Sequence, residues 1–221
     1  MIPWVRLASA PIPGGGELHL YRHGRDLSIR VGRDELMNSR AHASEDALAA
    51  LALARLGSRG APVVLVGGLG MGFTVAAALR GLGPEARILV AELVPEVVAW
   101  NRGELAAVSG NVLADPRVAV QIGDVAEVLR ARCAGFDAIL LDVDNGPSGL
   151  TAEANHWLYG VAGLQRAYAA LRPGGVLTVW SAVRDESFTR RLVACGFSVE
   201  LETVHAHGTR GPRHVIWVAQ R

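Results

Sequence analysis

The sequence predicts an α/β fold with a seven-stranded, mostly parallel sheet, an antiparallel C-terminal edge and a short N-terminal β-hairpin extension. Three observations carry this expectation. The apolar run Val63-Val64-Leu65-Val66 leads into glycines at 67, 68, 70 and 72 and then into a helical stretch from Thr74, the pattern of a buried strand turning sharply into a helix. From there strand and helix patterns alternate regularly. The chain then closes with two strand patterns and no helix between them, which places an antiparallel pair at one edge.

Composition allows such a sheet and excludes several alternatives. At 221 residues, half of them hydrophobic, the chain can bury a sizeable core. The formal net charge is +1 and no block of like charge stands out, so nothing marks a nucleic-acid or anionic-membrane partner. All 22 basic residues are arginine, which rules out a lysine Schiff base. Cys133 and Cys195 stand far apart with no paired spacing, which points to a reducing, cytoplasmic setting. Residues 1–10 lack the features of a leader, and no apolar run has the length of a membrane span.

In chain order, 1–16 reads as a loosely held segment, rich in Pro and Gly near its end. Residues 17–21 and 27–31 alternate in polarity around a turn at Gly24, a hairpin. Ser44 is placed to cap a helix that carries Glu45 and Asp46 in its first turn and stops at Gly57. Residues 1–57 thus form a hairpin with a linking helix, and 58–221 form the main domain. Strands are expected at 63–67, 87–92, 118–122, 136–142 and 175–181, with helices near 73–81, 95–108, 124–133 and 155–171. Pro95 suits a first helical turn, and Asp185 caps a helix that stops before Gly196. Strands near 197–205 and 214–220 close the chain, joined by a polar loop at 207–213.

In open α/β sheets, ligands sit beyond the carboxyl ends of the strands. Four successive strand ends here carry Gly67 to Gly72, Glu92, Asp124, and Asp142 with Asp144. The pattern Gly68-x-Gly70-x-Gly72 puts Phe73 where a dinucleotide fingerprint needs its third small residue. A nucleoside without phosphates fits better. Glu92, about twenty residues after the glycines, is placed for ribose hydroxyls. Asp124 suits either an adenine amine or the cap of the following helix, or both. Asp142 and Asp144 share one face at period two and form a cation pocket, and 148–154 is a loop long enough to cover an acceptor. Trp180 ends a strand facing the crevice, with Tyr159 on the same side. His205, His207 and His214 read as ordinary edge histidines, so no metal site is expected, and no Ser or Cys is placed for covalent catalysis.

The order of glycine turn, Glu92, Gly123-Asp124 and the apolar strand into Asp142 resembles the spermidine synthase (polyamine aminopropyltransferase) branch of the S-adenosylmethionine-dependent transferases. Asp34-Glu35-Leu36, Ser44-Glu45, Leu158-Tyr159 and Leu171-Arg172-Pro173-Gly174-Gly175 are similar to that branch as well. The resemblance implies a Rossmann-like, methyltransferase-type sheet. It further implies Gly67, Gly68, Gly70, Gly72, Glu92 and Asp124 around the nucleoside, and Asp142 as base toward an amine. Asp144, Asn145, Tyr159 and Trp180 would face a small-molecule acceptor, and a homodimer is implied.

Departures from the family pattern bear on the donor. The family turn reads Gly-Gly-Gly-Asp-Gly-Gly, with its Asp against the amino group of decarboxylated S-adenosylmethionine, and Gly70 stands at that position. Removing the acid favours S-adenosylmethionine itself, and hence methyl transfer. Aminopropyl transfer from the decarboxylated donor is the alternative, and a nucleoside-binding protein without catalysis is a second. The family's Asp-Ser-(Ser/Thr)-Asp-Pro is here Asp142-Val143-Asp144-Asn145-Gly146-Pro147, with Asn145 near the place of the second acid, and Ala43 replaces a family tyrosine.

Overall fold

In the computed structural model, residues 2–143, 146–147, 157–208 and 210–221 are described. Asp144, Asn145 and the expected covering loop at 148–154 therefore lie outside the described residues. Two sheets organise the chain. The smaller is an antiparallel meander of β1 (Val5–Pro11), β2 (Glu17–His23), β3 (Asp26–Val31) and β4 (Asp34–Asn38), in that order. The expected hairpin is its centre, with Leu18 facing Val31 and His23 facing Asp26.

Its two outer strands were not anticipated. Residues 5–11 form a strand paired along β2 instead of a loose segment. Along β1 only Ala10 is buried, so polarity alternation gives almost no signal; inter-strand hydrogen bonds hold it instead.

The larger sheet comprises β5 (Val63–Gly67), β6 (Arg87–Glu92), β7 (Val118–Ile122), β8 (Phe136–Leu141), β9 (Leu171–Ser181), β10 (Ser198–His207) and β11 (Arg210–Gln220). Their order across it is β10-β11-β9-β8-β5-β6-β7. β5 pairs in parallel with both β6 and β8, while β11 runs antiparallel between β9 and β10. The fold class predicted from the sequence is thus observed, and the strand order reverses beside β5. The last two strands run further toward each other than expected, to His207 and Arg210, because their pairing continues past a bulge at His205.

Alternating side chains of the parallel strands divide the core in two. Val64, Val66, Val90, Leu140 and Ile216 face helices α1 (Ala43–Leu56), α2 (Phe73–Gly81) and α3 (Pro95–Arg102). Leu65, Ile139, Leu141, Val179 and Trp217 face α5 (Val125–Ala131), α6 (Val161–Ala170) and α7 (Glu186–Ala194), with a single-turn α4 (Ala106–Ser109) after α3. Gly103 breaks the helix expected over 95–108. Apolar residues of the small sheet, including Leu20 and Ile29, join the first of these cores. The small sheet therefore docks over the same side as α1 to α3, with β4 leading directly into α1.

Asp185 caps α7 as expected, accepting from the amides of Ser187 and Phe188. The start of α1 differs from expectation. His42 is its N-cap, without a side-chain cap bond, and Ser44 lies inside the helix. Ser44 is buried and donates its hydroxyl hydrogen bond to Glu45 Oε2 at 2.6 Å, so the hydroxyl is committed to a neighbouring carboxylate.

Candidate functional site

Beyond the carboxyl ends of β5, β6 and β8 the structure holds a cavity of about 410 Å³, roofed by the small sheet. This size is within the range of small-molecule sites. Gly68, Gly70, Glu92, Asp124, Asp142 and Trp180 all line it. Six of the residues singled out in the sequence thus converge, although they come from five separate segments. Of the described residues lining it, Asp34, Glu45, Glu92, Asp124 and Asp142 are acids and none is Arg or His.

The glycine turn is shaped by contacts that exclude side chains. The Gly68 amide donates to Ala91 O at 2.9 Å, tying the turn to β6. Gly68 has φ +87°, and a Cβ there would lie 2.4 Å from the Asp142 carbonyl oxygen. Gly68→Ala is therefore expected to cost about 2–4 kcal/mol, combining backbone strain with displacement of the Asp142 segment. Its melting temperature and donor affinity should fall together, and a melting curve unchanged from wild type would refute that reading. Gly67 and Gly72 do not line the cavity. Gly67 packs on Leu141 and Val125, and Gly72 on Ser109 and Asn101, so both serve the close packing of strand and helix around the turn.

Gly70 has a neighbour the sequence did not suggest. Met37, from β4, reaches across so that a Cβ on Gly70 would stand 2.6 Å from its Cε and 2.8 Å from its Sδ. The volume that a side chain at position 70 would take is filled by this thioether. Asn101 Nδ2 holds the Gly70 carbonyl from the other side at 2.7 Å.

Glu92 is only 7% exposed. Its Oε2 accepts from the Leu69 amide and its Oε1 from the Val94 amide, both at 2.8 Å. The carboxylate is thus fixed in orientation, and each oxygen keeps a further acceptor position. Burial pushes its carboxyl above the ordinary range, against the lowering effect of those amides. Asp124 caps α5 by accepting from the Ala126 amide at 2.8 Å through Oδ1. It also lines the cavity, so the cap is present without removing the residue from the site.

Asp142 follows β8, held by its own amide donating to Gly67 O at 2.9 Å and by Thr74 Oγ1 donating to its Oδ2 at 2.6 Å. Burial and the neighbouring Glu45 charge push its carboxyl up to about 7. Glu45 is the residue that the sequence reading did not place in the site. It is 8% exposed and lines the cavity, and burial raises its carboxyl too. An acid in a first helical turn is ordinarily a solvated partner of the helix dipole, which is how the sequence presents it. The one signal available was its place beside Ser44 in the resemblance.

Trp180 lines the cavity at the end of β9, its ring 4.8 Å from that of His214. Tyr159 does not line it. The ring is buried in the second core, edge-on to Phe188, and its hydroxyl donates to Val143 O at 3.2 Å. It therefore braces the segment that follows Asp142. Asp144 and Asn145 lie outside the described residues, and among the described residues there is no group of His, Cys, Asp and Glu that could hold a metal ion.

No family model matches the chain. It is 36% identical over 125 residues to polyamine aminopropyltransferases of Mycobacterium tuberculosis and Mycobacterium bovis. That match covers 55% of this chain and 23% of each relative, so the alignment spans about a quarter of their length.

Among solved structures, a spermidine synthase in complex with the transition-state analogue AdoDATO superposes with a TM-score of 0.75 at 17% identity, over 97% of this chain and 72% of that one. Spermidine synthase from Thermotoga maritima gives 0.75 at 18%, over 97% and 72%. A probable spermidine synthase from Corynebacterium glutamicum gives 0.70 at 16%, over 98% and 79%. The chain thus shares the fold of these spermidine synthase structures, the fold that the order of motifs implied.

Proposed function

We propose that the chain is a spermidine synthase-like transferase that moves an aminopropyl group from decarboxylated S-adenosylmethionine to a small amine. The observation that carries this reading is the charge of the cavity: five carboxylates and, among the described residues, no cation. A sulfonium donor and an ammonium acceptor are both cations and complement it. The carboxylate of S-adenosylmethionine would enter without a partner, which is costly in a recessed site.

Methyl transfer is the reading that the missing acid at position 70 favours. In the structure the tip of Met37 lies against Gly70, so the position offers the donor's carboxylate no charged partner. A carboxylate there would meet a thioether and a methyl group. The relatives named above are aminopropyltransferases and spermidine synthases, which supports the aminopropyl alternative.

In this reading adenosine lies across Gly68, with Glu92 accepting from its ribose hydroxyls and Asp124 from the adenine amine. Displacement at a carbon bound to sulfonium needs little help for the leaving group, so alignment and a neutral nucleophile are the main requirements. An alkyl ammonium titrates about three units above neutrality, so freeing its lone pair costs about 4 kcal/mol. Asp142 takes that proton. The amine nitrogen then forms its bond to the propyl carbon as the C–S bond breaks, and the electron pair stays on sulfur as a neutral thioether. A base with a carboxyl near neutrality is matched to this task. Trp180 flanks the acceptor, and the free thiols of Cys133 and Cys195 accord with a reducing compartment.

Titration calorimetry with the two donors tests the reading. The decarboxylated donor is expected to bind at least about tenfold more tightly, a difference of roughly 1.4 kcal/mol. Tighter binding of S-adenosylmethionine would overturn it and restore methyl transfer.

A further inference from the structure

The fold shows how it treats a buried acid that serves structure alone. Asp137, 2% exposed, is met by Arg59 at 2.7 Å and Arg172 at 2.6 Å, and by the Val63 amide. Glu45 and Asp142 are treated differently. Neither has an ion-pair partner among the described residues. The side-chain donor to each is a single neutral hydroxyl, Ser44 on Glu45 Oε2 and Thr74 on Asp142 Oδ2. Both line the same cavity, and the charge on Glu45 acts directly on Asp142. Two recessed acids without cations work against stability, and a fold retains such a pair where the pair does chemistry.

We propose that Glu45 is a positioning residue for the transfer reaction, acting through Asp142. Its negative charge, in the same cavity, helps Asp142 hold the proton removed from the acceptor amine, and the two carboxylates titrate as a coupled dyad. The inference rests on the reading of Asp142 as base. The amine gives up one proton to Asp142 and the product leaves as a secondary ammonium, so the dyad gains one proton per turnover and returns it to water.

The surroundings single out Glu45. Among the described residues, the charged groups on the other elements facing the cavity are Asp34 of β4, Glu92 of β6 and Asp124 before α5, all acids, and Thr74 of α2 contributes only a hydroxyl. His214 touches the Trp180 ring and does not line the cavity. Among the described residues, the neighbouring charge felt at Asp142 is that of Glu45, and Asp46 in turn acts on Glu45.

Glu45→Gln removes the charge and keeps the shape. The acid limb of its pH–rate profile is expected about one pH unit lower than in wild type, with donor affinity unchanged within about twofold. A structural role alone would lower activity or melting temperature without moving that limb. The second measurement needs neither a variant nor turnover: carbon NMR titration of the side-chain carboxyls in the unliganded wild-type protein. As a dyad, the Glu45 and Asp142 signals should each report two steps.

A limb that stays in place in folded Glu45→Gln, or two independent single-step carboxyl titrations, would overturn the dyad. Failure of every amine acceptor to consume donor would instead count against the proposed transfer, while the carboxyl titration still decides the dyad.

Discussion

Asp142→Asn is expected to abolish most turnover while making the protein more stable at alkaline pH. As general base, Asp142 is worth about 10²–10⁴ in kcat, and donor affinity, set by Glu92, Asp124 and the glycine turn, should be retained. The stability effect follows from proton linkage. The folded chain holds the Asp142 carboxyl up to about 7, above its value of about 4 in the unfolded chain. The native state therefore binds more protons between these values, and stability falls as pH rises through that window.

Three pH units correspond to on the order of 4 kcal/mol, which sets the upper scale of the gain. The amide introduced by Asp142→Asn carries no charge to desolvate, and its oxygen can still accept from Thr74. Thermal melts from about pH 4 to 8.5, a range that spans both carboxyl values, should show the variant pulling ahead of wild type between about pH 4 and 7 and keeping a constant lead above neutrality. Donor titrations and turnover assays run beside them complete the test. Equal melting temperatures at the alkaline end would refute the uncompensated burial of this acid. Wild-type turnover in the variant would refute its role as base.

Asp137→Ala is expected to destabilise the protein strongly, by about 3–5 kcal/mol. Its carboxylate ties Arg59, Arg172 and the start of β5 together through the Val63 amide. Removing it leaves two guanidinium groups beside the sheet without their shared partner. For a chain of this size that loss corresponds to a melting temperature lower by roughly 6–20 °C. Arg59→Ala combined with Asp137→Ala should cost less than the sum of the single changes, because part of the loss in either single variant is the unpaired partner. Strict additivity in denaturant melts would show that the cluster is only a surface contact. The contrast with Asp142→Asn is the useful feature. Both remove an acid near an end of β8, and the sign of the stability change depends on whether arginines are present.

The elements that were legible in the sequence are those whose signal is local. β5 is a continuous apolar run and β8 one interrupted by Asp137 alone, because both of their faces are covered, and Asp124 and Asp185 cap their helices through bonds spanning two or three residues. The elements that were missed depend on distant partners. β1 is held by β2 and buries only Ala10. β4 has mixed polarity and gains its meaning from Met37, which reaches Gly70, far along the chain. Glu45 has the local signature of a helix start, and its recessed position exists only because β4 delivers α1 against the end of β8. Tyr159 has the composition of an acceptor-facing aromatic, yet the core claims its ring and Val143 its hydroxyl.

Hydrophobic period, turn chemistry and chain connectivity suffice to specify the main sheet, its antiparallel edge, and the convergence of Gly68, Gly70, Glu92, Asp124 and Asp142 on one crevice. Each parallel strand must open on the same side, so residues at successive strand ends meet whatever the details of packing. The character of the pocket is set at a different level: its roof, the thioether seated against Gly70, and the second acid beside Asp142. Those features arise where segments far apart in the chain come together. Charge burial and steric exclusion depend on such meetings, and no local pattern encodes them.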